Sequence, residues 1–218
     1  MGPRIPLPLG PHETPSIERP RVRVHARAAL PSRHGAFEIV SFQDESGRLL
    51  DDIAIVRGPL PADAVVPTRV HSECVTGDVL GSLRCDCGDQ LQHALAQIDA
   101  RGMGVLLYLR QEGRGIGIAN KVAAYALQDA GLDTVDANLH LGFDDDLRSY
   151  DLAGAMLRAL GLTRIELFTN NPRKLDGLRA AGLDVVARQP IVVGVRPQNE
   201  HYLRTKQRRS GHLFGDEG

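Results

Sequence analysis

All three cysteines of this 218-residue chain lie within 14 positions, as Cys74, Cys85 and Cys87. Zinc in proteins takes four ligands, and catalytic sites keep one position for water, so three thiolates suit a catalytic zinc. The spacing differs from the paired Cys-x-x-Cys of a zinc ribbon. The alternative is three small buried hydrophobic residues, because free cysteine is often buried and inert. The polar neighbours His71 and Glu73 favour the metal site.

A glycine-rich segment, residues 111–117, lies between a predicted buried strand and a predicted helix. Glycines let the backbone approach a ligand, and a helix N-terminus attracts anions. The segment is not a P-loop, because no Gly-Lys-Ser/Thr follows. A ligand-binding turn and a purely structural turn both remain open.

Two further segments could bind ligands. Residues 169–174 stand at a strand-to-helix junction, where Thr169, backbone amides and Lys174 could converge on a phosphate. An ordinary capped helix is the alternative. Residues 144–146 are three aspartates, which could hold a divalent cation or supply a base beside Arg148. From residue types alone, a solvated acidic loop is favoured.

These segments need a scaffold, and the apolar patterns predict one. Short strands from Ala36 to Val56 predict an N-terminal strand meander, and alternating strands and helices predict an α/β unit over residues 88–190. The predicted elements are a helix from Leu91 to Gly102, a strand at 105–109, helices at 118–130 and 152–160, a strand at 165–168, a helix at 172–181, a strand at 185–186 and a basic helix at 197–209.

Composition excludes several classes of protein. The formal net charge is −1, which rules out a global electrostatic attraction to nucleic acid or to an anionic membrane. No apolar run is long enough for a membrane span, and the first residues lack a secretory signal. The odd number of cysteines suits a reducing compartment. We therefore expect a cytoplasmic protein with no nucleic-acid or membrane partner.

The N-terminus differs in composition from the rest. Seven of the 13 prolines lie between residues 3 and 31, with few large apolar side chains among them. Such a stretch buries too little surface to offset its ordering entropy, so residues 1–24 are predicted to be a flexible Pro/Arg-rich arm. Its arginines could bind an anion, but a solvated tail is favoured.

Taken together, the motifs resemble the GTP cyclohydrolase II family. The match rests on Arg-Val-His-Ser-Glu-Cys at 69–74, Arg-Cys-Asp-Cys-Gly at 84–88, Arg-Gln-Glu-Gly-Arg-Gly-Ile-Gly at 110–117, Ala-Tyr-Ala-Leu-Gln-Asp at 124–129, Thr-Asn-Asn-Pro at 169–172 and Asn-Glu-His-Tyr-Leu at 199–203. The resemblance implies an α/β fold with a mixed sheet layered with helices over residues 25–214, followed by a disordered tail at 215–218. It also implies a homodimer.

The resemblance assigns roles to individual residues. Cys74, Cys85 and Cys87 match zinc ligands, Asp146 a proton acceptor, Arg148 a nucleophile, and Tyr125 a tyrosine linked to completion of ring opening. The positions matching GTP contacts are Arg69, Val70, His71, Ser72, Glu73, Gln90, Glu112, Gly113, Arg114, Thr134, Thr169 and Lys174. The family also needs Mg²⁺ with the triphosphate.

The implied reaction converts GTP and water into formate, pyrophosphate and 2,5-diamino-6-(5-phosphoribosylamino)pyrimidin-4(3H)-one. Glu73, Glu112 or Gln90 could read the guanine edge. A guanidinium is a poor nucleophile, so Arg148 is either deprotonated by Asp146 or only stabilises phosphate charge, and we favour the second.

Leu147 and Ser149 depart from the family pattern. This departure keeps open a paralogue that opens the ring but retains the formyl group, although Tyr125 argues against it. A silent zinc-and-nucleotide-binding module is a further alternative.

Overall fold

The computed structural model describes residues 20–144, 146–211 and 213, without the side chains of residues 134, 201, 206, 207 and 210. The strands in this part of the chain are β1 (Val22–Ser32), β2 (Gly35–Asp44), β3 (Leu49–Arg57), β4 (Val66–Ser72), β5 (Gly104–Leu109), β6 (Arg164–Phe168) and β7 (Asp184–Gln189). They form one sheet in the order β1-β2-β3-β5-β4-β6-β7. The pairs from β1 to β5 are antiparallel and those from β5 to β7 are parallel. The predicted α/β fold with a mixed sheet is confirmed.

Helices cover both faces of this sheet. They are α1 (Val75–Asp78), α2 (Cys87–Ala100), α3 (Gly117–Asp129), α4 (Thr134–His140), α5 (Asp151–Ala159), α6 (Pro172–Ala180) and α7 (Glu200–Ser210). On β5, Leu107 packs into a core with Met156 of α5 and Leu178 of α6. Its neighbour Leu106 packs into a second core with Ile98 of α2. Successive side chains on a strand point to opposite faces, so α5 and α6 cover one face and α2 covers the other.

The parallel strands bring the sequence motifs together. β4, β5 and β6 end at Ser72, Leu109 and Phe168, and a candidate ligand-binding segment follows each of them. The carboxyl ends of parallel strands meet at one edge of the sheet, which is where such folds bind ligands. Among the described residues, none of the helices has both the length and the apolar character needed to cross a bilayer.

The N-terminal boundary of the domain needs a correction. Residues 22–24 belong to β1, so they are not part of a flexible arm, which had been predicted over residues 1–24. Residues 1–19 lie outside the described residues. β1 pairs with β2 along its length, and Val22 and Val24 pack against the core, which outweighs the local proline content. Pro31 is tolerated because β1 lies at the edge of the sheet. Residues 215–218 also lie outside the description.

The sequence predicted neither β1 nor α1, and β4 and α4 also had no clear sequence signal. β4 carries Pro67 at its second position, a residue that argues against a central strand. α4 is a single short helix whose first turn is fixed by Asp133, because its Oδ1 accepts hydrogen bonds from Val135 N at 2.7 Å and Asp136 N at 2.8 Å. The other predicted elements match the observed ones to within a few residues.

Candidate active site

The three cysteine sulfurs lie within 4.8 Å of one another. Cys74 precedes α1, and Cys85 and Cys87 stand at the start of α2, so two helix beginnings bring them together. The Sγ atoms of Cys74 and Cys85 are 3.7 Å apart. Tetrahedral zinc with Zn–S bonds of about 2.3 Å requires sulfurs about 3.8 Å apart, so the donor set fits a zinc ion.

Gly77 makes room for this cluster. A Cβ at this position would lie 2.8 Å from Cys85 Sγ and 3.3 Å from Cys74 Sγ. A Cβ on Gly88 would lie only 2.3 Å from the Gly77 carbonyl oxygen. The absence of both side chains therefore lets α1 and α2 approach closely enough for their thiols to face one another.

The thiols share negative charge. Hydrogen bonds from the neighbouring thiols of Cys85 and Cys87 lower the pKa of Cys74 strongly, beyond what burial opposes. The same contact with Cys74 raises the pKa of Cys85. The cluster thus carries thiolate character that a divalent cation would neutralise.

A buried lysine contacts the cysteine cluster. Lys121 Nζ lies 3.1 Å from Cys74 Sγ and 2.7 Å from Glu112 Oε1. Glu112 also accepts hydrogen bonds from Val75 N at 2.7 Å and Gly113 N at 2.8 Å. Burial lowers the pKa of Lys121, but the hydrogen bond to Glu112 and the Cys74 thiolate raise it by more than burial lowers it. The net pKa is raised, so the amine is an ammonium.

Tyr125 stands one helical turn after Lys121 and faces the same cluster. Its hydroxyl lies 3.4 Å from Thr76 Oγ1. Two cations contact its ring, with Arg84 Cζ at 4.8 Å and Lys121 Nζ at 5.7 Å from the ring centroid. Burial raises the pKa of Tyr125, so its hydroxyl keeps its proton.

These groups line one of two adjoining cavities. The cysteine cavity is lined by the three thiols, Glu73, Glu112, Lys121 and Tyr125. The basic cavity is lined by Arg69, His71, Gln90, Thr169 and Lys174. The two share a wall made by Ser72, Cys87, Arg114, Arg148 and Tyr202.

The cations of the basic cavity are held by backbone carbonyls and one amide. Arg69 donates to the Phe168 carbonyl at 2.8 Å and to Gln90 Oε1 at 2.6 Å. Lys174 Nζ donates to the Val70 carbonyl at 2.7 Å. These hydrogen bonds fix both cations at the basic cavity. Burial lowers the pKa of Arg69, and the nearby Asp86 carboxylate opposes this effect.

Arg148, on the shared wall, forms a bidentate ion pair with Asp146. The Nε–Oδ1 distance is 2.8 Å and the Nη2–Oδ2 distance is 2.7 Å. Burial lowers the pKa of Arg148, but the hydrogen bonds to Asp146 raise it by more, so the net pKa is raised. Burial raises the pKa of Asp146, but the same hydrogen bonds lower it by more, so the net pKa is lowered. The resting pair is therefore a guanidinium and a carboxylate.

A buried carboxylate that the sequence did not single out links the two cavities. Asp78 accepts hydrogen bonds from Cys74 N at 2.9 Å and from the Tyr108 hydroxyl at 2.9 Å, and it lies 3.1 Å from His71 Nε2. Burial lowers the pKa of His71, so its ring is neutral. Asp78 therefore fixes the backbone of a metal-ligand candidate and the ring of a residue in the basic cavity.

The glycine-rich segment forms a 3₁₀ turn over Glu112–Gly115. Gly113 and Arg114 both have φ of 62°, in the left-handed region, and Arg114 is the one non-glycine residue with positive φ among those described. The Arg114 carbonyl accepts a hydrogen bond from Leu147 N at 3.1 Å, which ties this turn to the segment that carries Arg148.

Some residues predicted to contact GTP or an anion do not present the expected groups to either cavity. Val70 is buried in β4, where its carbonyl serves Lys174. Thr134 begins α4, but its side chain is not described, and Asp145 lies outside the described residues. The backbone amides of Asn171 and Arg173, which were expected to face an anion, already donate to Thr169 Oγ1 and Asn171 Oδ1.

Lys121 and Asp78 are the site residues that sequence reasoning missed. Lys121 belongs to a helix whose other polar residues gave no reason to expect a buried cation. Asp78 lies four residues after Cys74, outside every motif singled out in the sequence, and its carboxylate accepts a hydrogen bond from the Cys74 amide. The four-residue spacing within a single helical turn is the signal that could have identified it.

Known proteins match this chain over most of its length. The sequence model described as GTP cyclohydrolase II matches residues 22–190. "GTP cyclohydrolase-2" of Shewanella amazonensis is 49% identical over 197 residues, which cover 90% of this chain and 95% of the relative. "GTP cyclohydrolase-2" of Hahella chejuensis is 53% identical over 189 residues, or 87% of this chain and 91% of the relative.

A longer relative also matches. "Riboflavin biosynthesis protein RibBA" of Parabacteroides distasonis is 49% identical over 185 residues, which cover 85% of this chain and 45% of that protein. The family match over the whole sheet up to β7, together with the identity of its relatives, confirms the resemblance seen in the motifs. The chain belongs to the GTP cyclohydrolase II family.

Proposed function

We propose that the protein hydrolyses GTP to 2,5-diamino-6-(5-phosphoribosylamino)pyrimidin-4(3H)-one, formate and pyrophosphate, in the first step of riboflavin biosynthesis. The observation that carries the proposal is the three-thiol cluster beside a basic cavity in a chain of this family. Formation of these products consumes three water molecules per GTP. One opens the imidazole ring at C8, one releases the formyl group, and one cleaves between the α- and β-phosphates.

The two cavities divide this chemistry. Cys74, Cys85 and Cys87 would hold zinc, which supplies a Lewis acid able to lower the pKa of a bound water toward about 7. The guanine would then enter the cysteine cavity with C8 near the thiols, and the triphosphate would enter the basic cavity, where Arg69 and Lys174 can meet its charge. The ribose would cross the shared wall.

The candidates for reading the guanine edge separate by cavity. Glu73 and Glu112 line the cysteine cavity, whereas Gln90 lines the basic cavity and donates to Asp86. Of the two glutamates, Glu73 is the better candidate for the base, because both carboxylate oxygens of Glu112 already accept hydrogen bonds. A carboxylate that accepts from guanine N1–H and N2–H₂ would reject adenine strongly, because adenine leaves it unpaired.

Arg148 acts in this proposal as a cation at the α-phosphate and not as a nucleophile. Its ion pair with Asp146 keeps the guanidinium protonated, and a guanidinium has no lone pair to attack phosphorus. Asp146 then orients Arg148 rather than deprotonating it. A guanylyl adduct trapped on Arg148 and identified by mass spectrometry would contradict this role.

Mg²⁺ would enter with the triphosphate. Both carboxylate oxygens of Asp146 already accept from Arg148, so this aspartate is poorly suited to bind the cation directly. Phosphate oxygens and water are the ligands that Mg²⁺ prefers in such sites. A homodimer and a cytoplasmic location are part of the same proposal, and sedimentation of the purified protein tests the first.

Product identification tests the function. The purified protein is incubated with GTP, zinc and Mg²⁺, and formate and pyrophosphate are quantified. Equal amounts of the two are expected. Pyrophosphate without formate would indicate the paralogue that retains the formyl group, and GTP binding without either product would indicate a silent binding module.

A further inference from the structure

Lys121 is a buried cation that the proposed function leaves without a role. It is 9% exposed, lines the cysteine cavity, and contacts a sulfur of the cluster directly. We propose that Lys121 is a positioning residue of the metal centre, whose ammonium hydrogen-bonds the Cys74 sulfur and weakens that thiolate as a donor to zinc. The inference rests on the proposed function and adds to it a residue that sets the strength of the Lewis acid.

The geometry is that of a charge-assisted hydrogen bond. An ammonium carries three donors and no acceptor, so at 3.1 Å from Cys74 Sγ it can only donate to the sulfur. Such a bond draws electron density from the thiolate, and bonds to metal ligands from outside the coordination shell tune the metal. Weaker donation from sulfur leaves a bound zinc more electron-poor and thus better able to acidify water.

The fold holds this ammonium in place. Lys121 and Tyr125 lie four residues apart on α3, so one face of the helix presents both to the cluster. Glu112 fixes the ammonium from the other side at 2.7 Å, and Glu112 is itself anchored by the amides of Val75 and Gly113. A chain of contacts therefore runs from the glycine-rich turn through Lys121 to Cys74.

A purely structural role makes a different prediction. If Lys121 served only to neutralise Glu112, removing the charge of Glu112 would matter as much as removing Lys121. The substitution Glu112→Gln keeps the ammonium beside Cys74, whereas Lys121→Met removes it and keeps a side chain of similar length. The two variants separate an effect on the sulfur from an effect on the carboxylate.

The test uses protein loaded with Co²⁺ in place of zinc, because cobalt–thiolate charge-transfer absorption reports on donation from sulfur. We expect Lys121→Met to bind one Co²⁺ per chain with this band moved to lower energy, while Lys121→Arg and Glu112→Gln keep it in place. With zinc, we expect Lys121→Met to lower kcat for formate release by at least about tenfold, which corresponds to about 1.4 kcal/mol. The KM for GTP should stay within about threefold.

An unshifted band in Lys121→Met, or an equal shift in Lys121→Arg, would overturn the inference. If Lys121→Met does not fold, Lys121→Gln supplies the same comparison, with a smaller shift expected from its uncharged amide. Absence of a thiolate band in the unchanged protein would remove the metal site and the inference together. A band without formate production from GTP would remove only the proposed function, since the spectra still decide the role of Lys121.

Discussion

The two cavities share a wall but hold their cations in different ways. In the cysteine cavity, the charged groups are paired with one another, as Lys121 is with Glu112 and with the Cys74 sulfur. In the basic cavity, Arg69 and Lys174 donate to neutral carbonyl and amide oxygens, and Arg69 also interacts electrostatically with the Asp86 carboxylate. An ammonium paired with a carboxylate and a sulfur suits bond making at a fixed metal, while several cations lining one cavity suit capture of a polyanion.

The largest effect should come from removing a metal ligand. Cys85→Ser is expected to lose zinc and to lower formate release by more than about 100-fold. Substitutions of residues that only support metal ligands lower activity by up to about 100-fold, and loss of a ligand should exceed this. Pyrophosphate release should partly survive, because the basic cavity keeps its cations. Zinc analysis and separate assays of the two products check this.

Full formate release by Cys85→Ser would show that the metal assignment is wrong. Equal loss of both products in a folded, zinc-free variant would show that the two cavities do not act separately. Circular dichroism establishes that the variant is folded.

A substitution in the basic cavity should have the converse effect. Lys174→Met removes a buried cation and is expected to raise the KM for GTP about 30-fold, corresponding to about 2 kcal/mol. The Co²⁺–thiolate spectrum should not change, because Lys174 does not line the cysteine cavity.

Arg179→Met is the matched control for Lys174→Met. Arg179 lies on the same helix, α6, but is exposed, so its loss should leave the KM within about twofold. An unchanged KM in Lys174→Met would exclude the basic cavity as the triphosphate site.

A smaller effect is expected from Tyr125→Phe. The change keeps the ring that contacts Arg84 and Lys121 and removes only the hydroxyl, which lies 3.4 Å from Thr76 Oγ1. Loss of one hydrogen-bonding group should slow formate release by up to about tenfold. Pyrophosphate release should be less affected, so the ratio of formate to pyrophosphate should fall below one early in the reaction. A constant ratio would place Tyr125 outside the ring-opening chemistry.

The smallest effect is expected from the titration of His71, and it concerns stability rather than GTP binding. Burial lowers the pKa of its ring below the ordinary value of about 6.5, so it adds no charge to the basic cavity. Above about pH 6.5, His71 is neutral in both the folded and the unfolded chain, and its contribution to the free energy of unfolding is complete. As the pH falls below about 6.5, the unfolded chain takes up a proton that the buried ring does not. The free energy of unfolding then falls by about 1.4 kcal/mol per pH unit. Urea unfolding between pH 7.5 and 5.5 measures the loss, and NMR titration of His71 near 6.5 would contradict it.

The sequence was most informative where chemistry and spacing coincide. Three cysteines in 14 positions predicted the sulfur cluster, and the apolar run from Val105 to Leu109 predicted the buried strand β5. Both signals are local, because the residues that define them lie close together in the chain. The motifs that follow β4, β5 and β6 then converge because parallel strands end at the same edge.

Contacts between distant segments could not be read in this way. The bond from Lys121 to Cys74 joins residues 47 positions apart, and it depends on how α3 packs against α1. Strand β4 was hidden by Pro67, whose local preference is overruled by pairing with β5 and β6. Likewise, the tie between Arg114 and Leu147 is a backbone contact that side-chain types do not encode.

The left-handed backbone of Arg114 has a consequence for engineering. A non-glycine residue in this conformation costs about 1 kcal/mol, and glycine adopts it without steric penalty. Arg114→Gly should therefore relieve this backbone strain, but it removes a guanidinium from the wall between the cavities together with its electrostatic interaction with Asp146. The arginine side chain and an unstrained backbone are thus in conflict at this single position.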